Sequence, residues 1–400
     1  MTTQDTGSPA TGPIGAPELV VVLEPAAARG IAQASPSSTS QVGVPEARGA
    51  MHRLCEVLAE YGAALTTLFP AASEERGQHG PDERPAHASP ESTTPTQGGT
   101  PDDLGAEPAQ RLEQFVHVEA PADRLEELAD RLRGREGVAG AYVRPAIELP
   151  VSGSTISQGC GTATQAPVNT MTASPVEPTA TPHFTSGQRY LDAAPAGVGA
   201  RWAWTIAGGR GAGVRVVDCE HGWQLDHQDL LANNGGVVSG TNNPSNAHGT
   251  AVFGILGADN DRKGVTGIVP DAWLVASSWT SQPAATAINE AANRLRPDDF
   301  LLLEGQLPGP NRTDPDSDVG LIALEWWPDL FAAIRAASNR DVIVIEAAGN
   351  GFQNLDDPVY DRPAAGFPPT WRNPCNPANV QSGAVVVGAG APPDGFNGSA

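Results

Sequence analysis

The second half of the chain is punctuated by five short, nearly unbroken apolar runs, and these limit its fold more than any other feature. They are VRVVD (214–218), WLVASS (273–278), FLLLE (300–304), VIVIEAA (342–348) and AVVVGAG (384–390). A strand with one face in water alternates apolar and polar residues, whereas an unbroken run means that both faces are covered. Segments of helical period separate several of the runs. Pro328 suits the first turn of one such helix, with Phe331 and Ile334 predicted to point inward. The pattern predicts an α/β fold over residues 190–400, a doubly wound, mostly parallel sheet between helix layers.

A different pattern precedes it. ELVVVLEP (18–25), AALTTLFP (63–70), QFVHVEAP (114–121) and VAGAYVRP (138–145) read as strands. Leu54, Val57, Leu58 and Tyr61 recur on one helix face, and Leu125, Leu128 and Leu132 line a second helix that ends at Gly134. The order βαββαβ predicts a small α+β domain of ferredoxin-like type at 17–150, with two helices on one face of an antiparallel sheet. Residues 71–109 are rich in Pro, Gly, Ser, Thr, Glu and Asp and read as a disordered insertion within it. Residues 1–16 read as a flexible tail, and 151–189 as an interdomain linker.

The formal net charge of −22 argues against nucleic-acid binding, which needs Lys and Arg to neutralise phosphates. Lys263 is the only lysine. No apolar run approaches the ~18–20 residues that span a bilayer, so no membrane partner is expected. The start lacks a basic leader before its short apolar run, which points to the cytoplasm unless the true N-terminus lies elsewhere. Of the four cysteines, Cys55 is predicted to be a buried thiol on a helix face, and Cys219 a small strand-end residue. Cys160 and Cys375 lie in loops, where they stand either bridged or free.

Functional groups in an open α/β sheet gather beyond the carboxyl ends of the strands. Asp218 and Asn350 both fall there. A carboxylate at Asp218 can hold an imidazole in one tautomer, although by itself a strand-end Asp more often caps a turn. His248 opens HGTAVFG thirty residues later, enough chain for a strand, a return and a loop. At a helix entrance its ring can swing toward a strand end. Asn350 sits among small residues in AAGNG, where its amide can donate to a developing oxyanion or merely form an Asn-Gly turn. GGRGAG (208–213) precedes a strand instead of following one, so it lacks the geometry of a phosphate cradle.

Together the Asp218 strand with its downstream HQDL, the HGTAVFG helix and the AAGN turn resemble the subtilisin-like serine peptidases, in that family's order. GVTGIVPDAWLVA (264–276) resembles the family's segment after the histidine helix. VVDCEHG departs from the more usual Asp-Thr-Gly. The resemblance implies peptide-bond hydrolysis, with Asp218 orienting His248 as general base and Asn350 as oxyanion donor. It implies a peptide or protein substrate lying along Leu303, Glu304 and Gly305 near Gly349, with Glu304 favouring a basic or polar substrate side chain. The small domain resembles the family's propeptide and would act as an intramolecular inhibitor. No cofactor is required by this chemistry. Asp229 and Asp261 align with places where relatives supply calcium oxygens, or they are simply solvated loop carboxylates.

The family's Gly-Thr-Ser-x-Ala nucleophile motif does not occur in these 400 residues. Three explanations stand: the natural chain continues beyond Ala400, the gene is shortened, or the protein is a non-catalytic relative that binds peptides. Without the serine the 400-residue chain is expected to be inactive.

Overall fold

The computed structural model describes residues 15–34, 45–69, 112–149 and 181–390. The insertion at 71–109, residues 1–14 of the tail, residues 151–180 of the linker and Cys160 lie outside the described residues.

The N-terminal part runs β1 (Glu18–Leu23), α1 (Pro25–Ala34), α2 (Pro45–Glu60), β2 (Ala64–Thr67), β3 (Phe115–Glu119), α3 (Leu125–Leu132) and β4 (Val138–Arg144). The strands form one antiparallel sheet in the order β2-β3-β1-β4. Leu19, Val21 and Leu23 pack against Leu54, Val57, Leu58, Leu128 and Leu132 of the helices. Val20 and Val22 point the opposite way, into a second core. Both faces of β1 are therefore covered, which is why ELVVVL does not alternate. Helix α1 was not anticipated: among its residues of described burial only Ala27 and Ala28 are buried, and alanines leave no apolar stripe to read. Cys55 is exposed rather than buried, because it sits beside the Leu54–Leu58 face and not on it.

After a short helix α4 (Ala200–Ala203) come β5 (Arg215–Glu220), β6 (Asn234–Ser239), α5 (Ala247–Gly257), β7 (Trp273–Ser278), α6 (Ala284–Asn293) and β8 (Phe300–Leu303). A two-residue hairpin follows, β9 (Leu307–Pro308) with β10 (Leu321–Ile322), then α7 (Pro328–Ser338), β11 (Ile343–Ala347) and β12 (Val385–Val387). Six strands form a sheet in the order β12-β11-β8-β5-β7-β6, every ladder parallel. β6 escaped the sequence because NGGVVS carries two glycines and only two apolar residues. β5 runs two residues past VRVVD, so Cys219 and Glu220 pair with Ser277 and Ser278. Pro328 does open α7, but Leu330 and Ile334 are its inward residues and Phe331 is half-buried.

Helix α5 covers one face of the parallel sheet, where Phe253 joins Val216, Leu274 and Ala276. Helices α6 and α7 cover the other, against Val217, Cys219, Leu301 and Leu303. The outer face of the N-terminal sheet lands on those same two helices. Val20, Val22, Phe115 and Tyr142 share one core with Ile288, Leu330 and Ile334. Tyr142 sits 5.0 Å from Phe367 and 5.9 Å from Trp327, ring centre to ring centre. Within this interface Arg144 is fully buried. Its Nε donates to Asp329 Oδ2 at 3.0 Å, its Nη2 lies 2.7 Å from Glu18, and the Tyr142 hydroxyl donates to Asp329 Oδ1 at 2.9 Å.

β11 carries an acid near its carboxyl end. Glu346 is fully buried, and its Oε2 accepts from the backbone N–H of Glu325 at 3.3 Å. The Glu325 carboxylate in turn accepts from the Ser382 hydroxyl. Burial, reinforced by the Glu325 carboxyl, pushes Glu346 well above the usual carboxylate range. An acid whose folded pKa is raised contributes stability that is complete below its unfolded value and is lost as pH rises through the folded one. Chemical denaturation between about pH 5 and about pH 8 is therefore expected to show stability falling with pH. Glu346→Gln should flatten that slope by up to about 1.4 kcal/mol per pH unit; an unchanged slope would remove Glu346 from the account.

Candidate active site

Alternation along β5 turns Val216, Asp218 and Glu220 toward α5, and Val217 and Cys219 away from it. His248 lies in the first turn of α5. Its Nδ1 is 2.8 Å from Glu220 Oε1, with Glu220 buried and the imidazole 21% exposed. The expected partner was Asp218, and the structure corrects this. Asp218 Oδ2 accepts instead from the Trp223 indole N–H at 2.8 Å. The reason is register: the strand ends two residues later than its apolar run suggests, so Glu220 and not Asp218 reaches the helix entrance. A sequence signal existed. The family's Asp-Thr-Gly, aligned on Gly222, falls on Glu220-His221-Gly222, and Gly222 is required, since a Cβ there would stand 2.2 Å from Asn243 O.

Gly249 has a comparable role. A Cβ at that position would come within 2.5 Å of Gly222 O and 2.7 Å of Trp223 Nε1. The missing side chain lets the helix start close over the indole that holds Asp218.

The charges around His248 are mostly acidic. Burial, then the neighbouring Glu220, pushes Asp218 well above the usual range. Burial and then Glu304 do the same to Glu220. Glu304 is raised by burial, with His248 pulling the other way. Carboxyls crowded into one buried pocket cannot all ionise together, so the pocket retains protons. Next to Glu220 in the chain, His221 is pushed down to about 4, chiefly by burial, and its Nε2 accepts from Trp279 Nε1 at 3.0 Å.

Leu303 ends β8 and Glu304 follows it. Gly305 is covered by the N-terminal part: a Cβ there would meet Ile147 Cγ2 at 2.7 Å and the Trp279 ring at 3.3 Å. The backbones of Glu148 and Gln306 exchange hydrogen bonds of 3.0 and 2.9 Å as an antiparallel bridge. The chain leaving β4 thus lies along 305–306. Gly349 has φ 93° and packs against the Leu321–Ile322 backbone. Asn350 follows β11, two strands from β5 in the sheet, and its backbone N–H donates to Gln306 Oε1 at 2.6 Å. Gln306, which ties Asn350 to the segment after β8, went unnoticed in the sequence.

Asp229 and Asp261 behave differently from each other. Asp229 is buried; its Oδ2 accepts from Val265 N at 3.0 Å, and its Oδ1 has no hydrogen-bond partner, which would suit a cation. Asp261 instead accepts from Lys263 N at 2.9 Å, with the Lys263 ammonium 3.7 Å away. Among the described residues no three His, Cys, Asp or Glu side chains gather to hold a metal ion. Among the same residues no helix is long and apolar enough to cross a membrane.

A parallel sheet carrying an acid–histidine pair beyond the carboxyl end of one strand and an Asn turn beyond another defines a hydrolase-like framework. Over 230 residues the chain is 30% identical to thermitase of Thermoactinomyces vulgaris, an alignment spanning 53% of this chain and 72% of thermitase. The chain belongs to the subtilisin-like serine peptidases. No protein-family model matches it. Similar solved structures include a protease of Pseudoalteromonas arctica PAMC 21717 (21% identity, 43% of this chain and 60% of that one, TM-score 0.33). Fervidolysin of Fervidobacterium pennivorans, a keratinolytic enzyme related to subtilisin, is 13% identical over 86% of this chain and 41% of its own, with TM-score 0.42. The serine protease of Aeromonas sobria, solved with its chaperone, is 22% identical over 52% and 39%, with TM-score 0.35. The chain spans less than two thirds of each of these three structures.

Proposed function

We propose that the chain is part of a serine endopeptidase precursor in which His248 is the general base and then the general acid, held in its tautomer by Glu220. The 2.8 Å contact between His248 Nδ1 and Glu220 Oε1 carries this reading. A proton on Nδ1 leaves Nε2 free to take one from a nucleophile, and a carboxylate behind it stabilises the imidazolium that forms. Asn350 donates to the oxyanion of the tetrahedral intermediate. Substrate pairs by its backbone with the segment 303–306, as Glu148 pairs with Gln306, so the N-terminal domain is its own chain's occupant of the groove. No described residue is assigned the nucleophile's role.

A second reading is a peptide-binding protein without catalysis, whose N-terminal domain never leaves. The buried Arg144–Asp329–Glu18 cluster favours it, because a charge network sealed in an interface resists separation. A fluorophosphonate probe separates the two. Covalent labelling of the full-length protein, lost in His248→Ala, is expected under the first; absence of labelling in a folded full-length protein supports the second.

A further inference from the structure

Where the N-terminal part lies along the groove, Glu148 does more than lend its backbone to Gln306. Its carboxylate meets the guanidinium of Arg312, with Oε1 3.3 Å from Nη2, and the arginine side chain is only 7% exposed. Arg312 belongs to the loop that joins β9 to β10, and it enters no step of the mechanism above.

That loop holds the arginine without help from Glu148. Arg312 N donates to Gly309 O at 3.0 Å, and Gly309 N donates to Gly320 O at 2.8 Å. Gly320 has φ 93°, and a Cβ there would stand 2.5 Å from Arg312 N, so glycine is what lets the loop close on this backbone. The side chain is fixed as well: Nε donates to Asp314 O and Nη2 to Pro315 O, each at 2.8 Å. Nη1 is buried and has no hydrogen-bond partner. Carbonyl oxygens satisfy part of the fork but carry no counter-charge, and a buried guanidinium is best matched by a carboxylate. Glu148 is the acid that the groove's resident strand supplies. Burial pushes its carboxyl up and Asp318 adds to this, whereas Arg312 pulls it down. A neutral or basic side chain in the same place would strand the guanidinium.

Resting on the groove pairing proposed above, we infer that Arg312 is a specificity-determining residue: it selects extended peptides that carry Asp or Glu at the position Glu148 occupies, the one paired with Gln306. The resident strand holds the groove by offering the side chain that a substrate would offer.

The test uses the 400-residue chain carrying Glu148→Pro. This change removes both the carboxylate and the N–H given to Gln306 O, so it should free the groove, seen as faster hydrogen exchange of the Gln306 N–H. Fluorescently labelled peptides copying residues 143–149, with Glu, Gln or Lys in the place of 148, are then titrated by anisotropy. The Glu peptide should bind about ten-fold more tightly than the Gln peptide, and the Lys peptide more weakly than either. Adding Arg312→Glu should make the Lys peptide the best of the three. Equal binding of all three to the Glu148→Pro chain overturns selection by Arg312 while leaving the groove reading intact. If the Gln306 N–H exchanges no faster, or no peptide binds once it does, the groove reading fails and the inference falls with it. Arg312→Gln keeps the test sound should Arg312→Glu misfold: it should erase the advantage of the Glu peptide, and an advantage that survives overturns the inference.

Discussion

Glu220→Gln in the full-length protein is expected to lower kcat for peptide hydrolysis by about ten-thousand-fold, with KM little changed. Gln is nearly isosteric with Glu, so packing at the end of β5 should survive. What is lost is charge. The amide can offer its NH₂ to Nδ1, which fixes the imidazole in the tautomer that cannot accept a proton at Nε2. It also leaves the imidazolium of the transition state without a counter-charge in a buried setting. The effect therefore falls on the chemical step and not on groove pairing along 303–306. Steady-state kinetics on a chromogenic peptide measures it. A loss below about ten-fold would remove Glu220 from the machinery, since general-base catalysis alone is worth about 10²–10⁴.

Arg144→Ala is expected to cost about 3–5 kcal/mol of stability, the usual penalty for stranding one half of a buried ion pair. Burial alone would pull the Arg144 guanidinium down, but the Glu18 and Asp329 carboxylates more than offset it and hold the group raised. Asp329 is fully buried and would keep only the Tyr142 hydroxyl and the start of α7. Denaturant midpoints of the purified chain measure the loss. The control is Arg144→Met combined with Asp329→Leu, which replaces charge by similar volume and should recover most of it. If the double replacement is no better than the single one, the cluster acts through packing and not through charge.

These two residues differ in how far the sequence revealed them. The parallel sheet was legible because five unbroken apolar runs admit few other folds, and His248 was legible because HGT marks a helix entrance. The carboxylate that meets His248 was not read correctly. Asp218 terminates the apolar run, but hydrogen bonding continues through Cys219 to Glu220, and a ladder with Ser277 and Ser278 leaves no apolar trace. Arg144 was unreadable for another reason. Its partner Asp329 lies 185 residues away, and no local pattern announces a charge that burial will match between β4 and α7. β6 and α1 were missed because glycine and alanine carry little hydrophobic signal. Gln306 was missed because its role depends on a turn, Gly349-Asn350, that only folding brings to it.

The continuous apolar contact between Val20, Val22 and Tyr142 on one side and Ile288, Leu330 and Ile334 on the other has a bearing on any maturation step. A cut in the connecting segment divides the chain but not the folded body, since the halves hold each other as two sides of a single oily seam. Letting the smaller piece go would leave α6 and α7 greasy toward water, prone to recapture it or to stick to a neighbour. Departure is thus governed less by the severed peptide bond than by whatever covers that newly bare flank.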